Sequence, residues 1–206
     1  MVHYKLNYFN GRGAAEVIRL IFKYAEKDFE DNRINRDDWP ALKEGFSPFG
    51  QLPVLEVDGK KLPQSFTIAR YLAKQFGIAG KNAWDEAVVD SYADQYKDMM
   101  VAVTPFFRIS FGMLQGDLEK ERVENLEPAV KKNFEIFTEA LKKNPSGFFV
   151  GDSLTWVDIL IASGYSLLSA HTSIATDYPT VKAHAEKINS IPQIKAWIES
   201  RPDTPF

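Results

Sequence analysis

The residues that could do chemistry lie mostly in the first 65 positions, and no thiol is among them. The chain has no cysteine, which removes disulfides, thiolate nucleophiles, CxxC redox pairs and zinc–cysteine sites together. Its three histidines, His3, His171 and His184, are far apart and lack ligand spacing, so neither a metal centre nor a histidine triad is expected. What remains is a phenol, a proline and a polar pair. Tyr8 ends the alternating stretch HYKLNYF, just before a helical pattern. It reads as a core aromatic of a strand. It also stands at a strand's C-terminal end beside a helix start, where α/β folds tend to bind ligands. Pro53 has no N–H and suits an edge or first residue of a strand. The other reading is a cis Leu52-Pro53 bond, since only X-Pro bonds become cis at small cost. That geometry would turn the Leu52 N–H and C=O outward as a platform for an extended ligand. Ser65, with Gln64 before it, opens a helix and reads as its capping serine. The spare N–H donors and positive dipole of such a helix start also suit a ligand carboxylate.

Weaker signals surround these. Trp39 and Lys43 are four apart, so a helix puts them on one face; the ordinary reading is a packed tryptophan and a solvated lysine. Asp94 and Asp98 share the same spacing and read first as a solvated face. Gly11-Arg12-Gly13 has the look of a phosphate loop, but a lone GxG with no following Walker lysine is weak.

These groups need a scaffold. The 206 residues suffice for one large or two small domains; 45% are hydrophobic and 26% charged, as in ordinary globular proteins. A net charge of −3 gives no footing for nucleic acid. No apolar run reaches the length of a membrane span, and MVHYKLNYFNGRG lacks a signal-peptide core. A cytoplasmic location is the default, with unconventional export left open. Strands are expected over 3–9 and 29–34, and a hairpin over 54–62 turns at Asp58-Gly59. Helices are expected over 14–24 and from Ser65 to Gly77, with a weak helix or loop over 39–44. The order is β-α-β-(α)-β-β-α. Beyond Gly80 only helical periods occur. One long helix runs from Trp84 to Phe107 with Pro105 as a kink, and another carries Leu126 to Leu141. A third is opened by the capping box Thr155–Asp158, with Leu154 and Ile159 set as a hydrophobic staple. It is apolar nearly all round and should be the buried centre of its half. Two shorter helices span 178–189 and 192–200. The chain therefore divides near residue 80 into an α/β unit (1–80) and an all-α unit (81–206).

In combination, the strand ending in Tyr8, PFGQLPVLEVDG, QSFTIARYLA and GDSLTWVDI resemble the cytosolic glutathione transferases. YFNGRGAAEVIR with Trp39 and Lys43 looks most like the sigma class and its nematode-type members. The resemblance covers the chain from Val2 to its tail. It implies a thioredoxin-like N-terminal domain, a helical C-terminal domain carrying dimer contacts and part of an electrophile pocket, a homodimer, a cis Leu52-Pro53 bond, and glutathione as co-substrate without a metal. Carried over by position, Tyr8 would hydrogen-bond the glutathione sulfur. Trp39 and Lys43 would hold the glycine carboxylate. Gly50, Gln51, Leu52 and Pro53 would form the strand-like edge for the cysteinyl backbone, and Gln64 and Ser65 would take the γ-glutamyl carboxylate. Asp98, or Asp94 in the alternative register, would reach the γ-glutamyl amine across the dimer. Phe9, Arg12, Gly13, Phe106, Phe107 and Phe206 would line the electrophile pocket.

The energetics suit this reading. A free thiol has a pKa near 8.5, and lowering it by about 1.5–2 units takes roughly 2–3 kcal/mol. One hydrogen bond to an anion supplies about 1.5–3 kcal/mol. Tyr8 is thus a sufficient activator as a donor and need not be a base. The resemblance implies conjugation of apolar electrophiles. Its rivals are a non-catalytic carrier of haem or lipid, a prostaglandin isomerase and a lens-crystallin-like structural protein. Ala14 replaces the arginine of vertebrate prostaglandin D2-forming members, which weighs against the isomerase.

Overall fold

A computed structural model describes residues 2–204. They form two compact units: residues up to Phe76 together with those from Ile191 on, and Gly77–Ser190.

The first unit is built on a four-stranded sheet of β1 (Tyr4–Phe9), β2 (Glu30–Ile34), β3 (Val54–Val57) and β4 (Lys60–Pro63), in the order β2-β1-β3-β4. β1 and β2 are parallel, so a crossover must join them, and α1 (Glu16–Tyr24) supplies it after a short 3-10 turn at Gly13–Ala15. The other pairs are antiparallel. Asp58 and Gly59 both have positive φ, 49° and 81°, as a two-residue hairpin turn requires. α2 (Trp39–Phe46) is interrupted at Glu44 and Gly45, where the backbone leaves helical geometry. α3 (Ser65–Gln75) completes the β-α-β-α-β-β-α order, the thioredoxin-like arrangement expected from the sequence. Ile18, Ile21 and Phe22 of α1 and Ile68 and Leu72 of α3 are fully buried. Each such side chain is worth about 1.5–3 kcal/mol of transfer free energy.

The first compact unit also takes up the end of the chain. The last helix, α9 (Pro192–Ser200), groups with the first unit and not with the helices before it. Its Trp197 Nε1 donates to Glu16 Oε1 at 2.9 Å, and Arg201 just beyond it donates to the same oxygen at 2.7 Å. Glu16 is itself buried in α1, so these polar contacts fix the helix to the sheet unit.

The second unit is all helical. α4 (Ala83–Ser110) is capped by Asn82, whose side chain accepts from the N–H of Trp84 and Asp85, and it runs through Pro105. α5 (Leu118–Glu121) passes by a π turn (Arg122–Leu126) into α6 (Glu127–Lys143), so this helical stretch starts earlier than its apolar period suggests. Asp117 supplies the cap there, accepting from the Lys120 N–H at 3.0 Å. α7 (Trp156–Leu168) is the expected buried centre, with every residue from Trp156 to Ala162 buried. Its capping box is present. Asp158 does more than close it. Its carboxylate also accepts the Phe149 N–H at 2.9 Å and pairs with the buried His184 of α8 (Pro179–Asn189) at 2.9 Å.

Candidate functional site

Sheet register gathers the chemistry-bearing residues of the first unit at one end. Asn7, Val54 and Pro63 share a rung across β1, β3 and β4. One step outward stand Tyr8, Pro53 and Gln64. β2 runs parallel to β1 with Arg33 opposite Tyr8, so its exit also points this way and leads into α2 with Trp39 and Lys43. Strands of both directions thus deliver a phenol, a proline edge, a helix start and the α2 segment to the same edge.

Tyr8 is half-buried, and its hydroxyl accepts the Ala14 N–H at 3.1 Å. Burial pushes the phenol above its ordinary range, while the Ala14 N–H and the cations Arg19 and Arg36 pull it down; burial wins. The group is therefore a neutral donor at physiological pH. The approach of Ala14 depends on Gly13, whose φ is +38° and whose missing Cβ would fall 2.5 Å from the Tyr8 oxygen. Two N–H groups at the Gly11–Gly13 loop are already engaged within the chain. The Gly11 N–H is used by the Phe9 carbonyl at 2.8 Å, and the Ala14 N–H by Tyr8.

Leu52-Pro53 is cis. Gly50 has φ +59°, and its missing Cβ leaves room for the Lys43 stem, which would otherwise lie 2.8 Å away. An open cleft of about 440 Å³ follows, lined by Pro40, Lys43, Glu44, Gly45, Ser47 and Gly50. The Trp39 ring does not stand free beside Lys43. It packs edge-on against Phe9 and Phe46, each at 5.9 Å. The start of α3 differs from the sequence reading. Ser65 is its first helical residue and not its cap; the cap is Gln64, at φ +76° and ψ 112°, without a side-chain capping bond. The hairpin return must turn sharply to enter the helix, and Gln64 takes that turn. Its side chain reaches Gln51 Oε1 at 3.5 Å. A non-glycine residue held at positive φ marks a position whose conformation the surroundings impose.

Of the expected electrophile-side residues, Phe9 and Gly13 lie beside Tyr8, with the Phe9 ring 5.6 Å from that of Tyr8. Arg12 is partly engaged, its guanidinium donating to the Thr204 carbonyl at 3.4 Å. Phe106 and Phe107 belong to the second unit and are buried, both edge-on to His171. Phe206 lies outside the described residues. Asp94 and Asp98 are both on the exposed side of α4. Among the described residues, no three His, Asp or Glu side chains could hold a metal ion, and no helix is long and apolar enough to cross a membrane.

Sequence reasoning overlooked two cations. Arg36 lies 5.4 Å over the Phe9 ring, and fully buried Arg19 lies 5.9 Å from the Tyr8 ring centroid. Arg19 sits in a segment whose helical period marks it as merely one residue of α1. Only the contact across to β1 shows its partner.

Comparison with known proteins identifies the family of both units. Residues 4–74 match the family described as glutathione S-transferase, N-terminal domain, and residues 102–201 its C-terminal domain. The chain is 52% identical over 207 residues to probable glutathione S-transferase 7 of Caenorhabditis elegans, with both chains covered completely. It superposes with a TM-score of 0.95 at 53% identity on a monomeric glutathione S-transferase of the hookworm Necator americanus, covering 99% of this chain and 100% of that one. A Nu-class transferase of Haemonchus contortus gives 0.91 at 54% identity, with both chains fully covered. With a thioredoxin-like unit, a helical unit and near-complete coverage at about half identity, the chain belongs to the glutathione S-transferase family and is a glutathione transferase, with glutathione as its co-substrate.

Proposed function

We propose that Tyr8 activates glutathione by donating its phenolic hydrogen to the sulfur, and that the resulting thiolate attacks small apolar electrophiles, as in detoxification. One observation carries this reading. The Tyr8 oxygen already accepts the Ala14 N–H, and the phenol is held in its protonated form, so its own hydrogen is free to donate. The thiol loses its proton to solvent. The sulfur lone pair then forms the new carbon–sulfur bond as the leaving group departs with its electron pair. A hydrogen bond to the thiolate is worth about 1.5–3 kcal/mol, enough to hold it ionised near neutral pH.

The rest of the tripeptide follows the sheet edge. The glycine carboxylate goes to Lys43 and Trp39 beside the cleft at Ser47 and Gly50. The cysteinyl backbone pairs with Leu52 next to Gln51 and Pro53. The γ-glutamyl carboxylate docks at Gln64 and Ser65, where α3 offers its first N–H groups. Phe9, Arg12 and Gly13 flank the sulfur on the electrophile side. The motif set supports membership of the sigma-like nematode branch, a cytoplasmic location, and a homodimer in which Asp98 of one subunit serves the other's ligand. Because the Necator relative is monomeric, sedimentation equilibrium decides the last point.

Retention on a glutathione column with turnover of a chlorinated nitrobenzene tests the reading. Tyr8→Phe should keep retention and lose most turnover. Binding without turnover in the unaltered protein would instead favour a carrier of apolar ligands.

A further inference from the structure

Arg19 is the largest charged side chain buried in this fold, with no solvent exposure, and glutathione docking gives it no role. Burying a guanidinium is costly unless it is paired and hydrogen-bonded. Arg19 is paired incompletely. Its Nε donates to Asp31 at 3.0 Å, its Nη1 donates to Glu16 at 3.3 Å and to the Gly11 carbonyl at 2.6 Å, and its buried Nη2 has no hydrogen-bond partner. Both carboxylates are shared with other cations: Glu16 with Arg201 at 2.7 Å, Asp31 with Arg33 at 2.9 Å. Three arginines therefore face two carboxylates, and the cluster keeps a net positive charge. The Arg19 guanidinium carbon lies 5.9 Å from the Tyr8 ring centroid.

We propose that Arg19 is a positioning residue for the thiol chemistry: its guanidinium, the member of this net-positive cluster held beside the Tyr8 ring, strengthens the Tyr8 hydroxyl as a hydrogen-bond donor to the glutathione sulfur. The inference rests on the reading of Tyr8 given above. As the hydroxyl donates to a thiolate, negative charge grows on the phenol oxygen and spreads into the ring, where a nearby cation stabilises it. The direction is already visible in the unliganded phenol, whose pKa Arg19 draws downward against burial. The same side chain also holds the loop. Through the Gly11 and Arg12 carbonyls, at 2.6 and 3.4 Å, it fixes the turn that presents the Ala14 N–H to Tyr8.

The charge role and the loop role separate by sign. The readout is the pKa of enzyme-bound glutathione, followed by thiolate absorbance in the ultraviolet, with the pH profile of kcat/KM beside it. Arg19→Met removes the cation at similar length, and the bound thiol should rise by about 0.5–1 unit. Glu16→Gln keeps the hydrogen-bonding shape but removes a counter-charge, so the bound thiol should fall. A residue that merely braced the fold would not yield opposite shifts. If folded Arg19→Met leaves the thiol at its unaltered value, or Glu16→Gln raises it, Arg19 is not the electrostatic partner. Should Arg19→Met not fold, the direction seen in Glu16→Gln decides alone. Tyr8→Phe, measured alongside, tells the two levels apart. If it shifts the thiol while Arg19→Met does not, only this inference falls; if it too shifts nothing, the reading of Tyr8 falls and takes the inference with it.

Discussion

The Tyr8 hydroxyl and the Ala14 amide meet at 3.1 Å, with the amide as donor. That single bond fixes what the phenol can still do, because an oxygen that accepts from the chain has its own hydrogen left to give. Gly13 makes the meeting possible, since any side chain there would strike the phenol. Gly13→Ala should therefore displace the Tyr8 oxygen and lower kcat/KM by about tenfold or more. Retention on a glutathione column should change little, because the sheet edge and α3 start are untouched. An unchanged kcat/KM would mean that the Tyr8–Ala14 contact is not needed for turnover.

Burial holds the Tyr8 phenol above its ordinary pKa near 10. A raised value means the proton stays on through neutral and moderately alkaline pH. The pH profile of kcat/KM should accordingly rise through one limb, set by the bound thiol, and stay flat to about pH 9. A falling limb below about pH 9 that disappears in Tyr8→Phe would show the phenol ionising where the structure keeps it neutral.

Gln64 stands at φ +76° with no side-chain capping bond to its own helix, a conformation that favours glycine. Gln64→Gly should leave the melting temperature unchanged or raised. Glutathione affinity, measured by calorimetry, should weaken by about tenfold or more through loss of a contact to the γ-glutamyl end. A matched loss of stability would show that the side chain serves the fold instead.

Asp158 is buried and holds the Thr155 N–H and hydroxyl, the Phe149 N–H and His184. Asp158→Ala removes a cap and strands several buried donors, so it should cost about 2–4 kcal/mol in urea unfolding. Asp158→Asn, which can keep part of the set, should cost less. Equal stability of the Ala variant and the unaltered protein would contradict this.

Much of this was legible in the sequence where the signal is local. Alternation marks β1, Asp58-Gly59 marks the hairpin, and Thr155 with Asp158 marks the start of the buried α7. The cis proline and the start of α3 were legible through motif order, because Leu-Pro and Gln-Ser keep a fixed spacing along a short segment. What stayed hidden depends on contacts between distant positions. Glu16 with Trp197 and Arg201 draws α9 to the sheet unit across about 180 residues of chain. Arg19 meets Tyr8 only when α1 folds back on β1. Ser65 looked like a cap because its residue type favours that role, but the turn out of β4 places the cap one residue earlier, at a backbone angle that the side chain of Gln64 does not announce.

The most direct test of the central claim is the ionisation of glutathione bound to the unaltered protein and to Tyr8→Phe, read as thiolate absorbance against pH. The unaltered complex should titrate about 1.5–2 units below the free thiol value near 8.5, and the variant should move most of the way back. A Tyr8→Phe complex that keeps both the low thiol pKa and full turnover would contradict it.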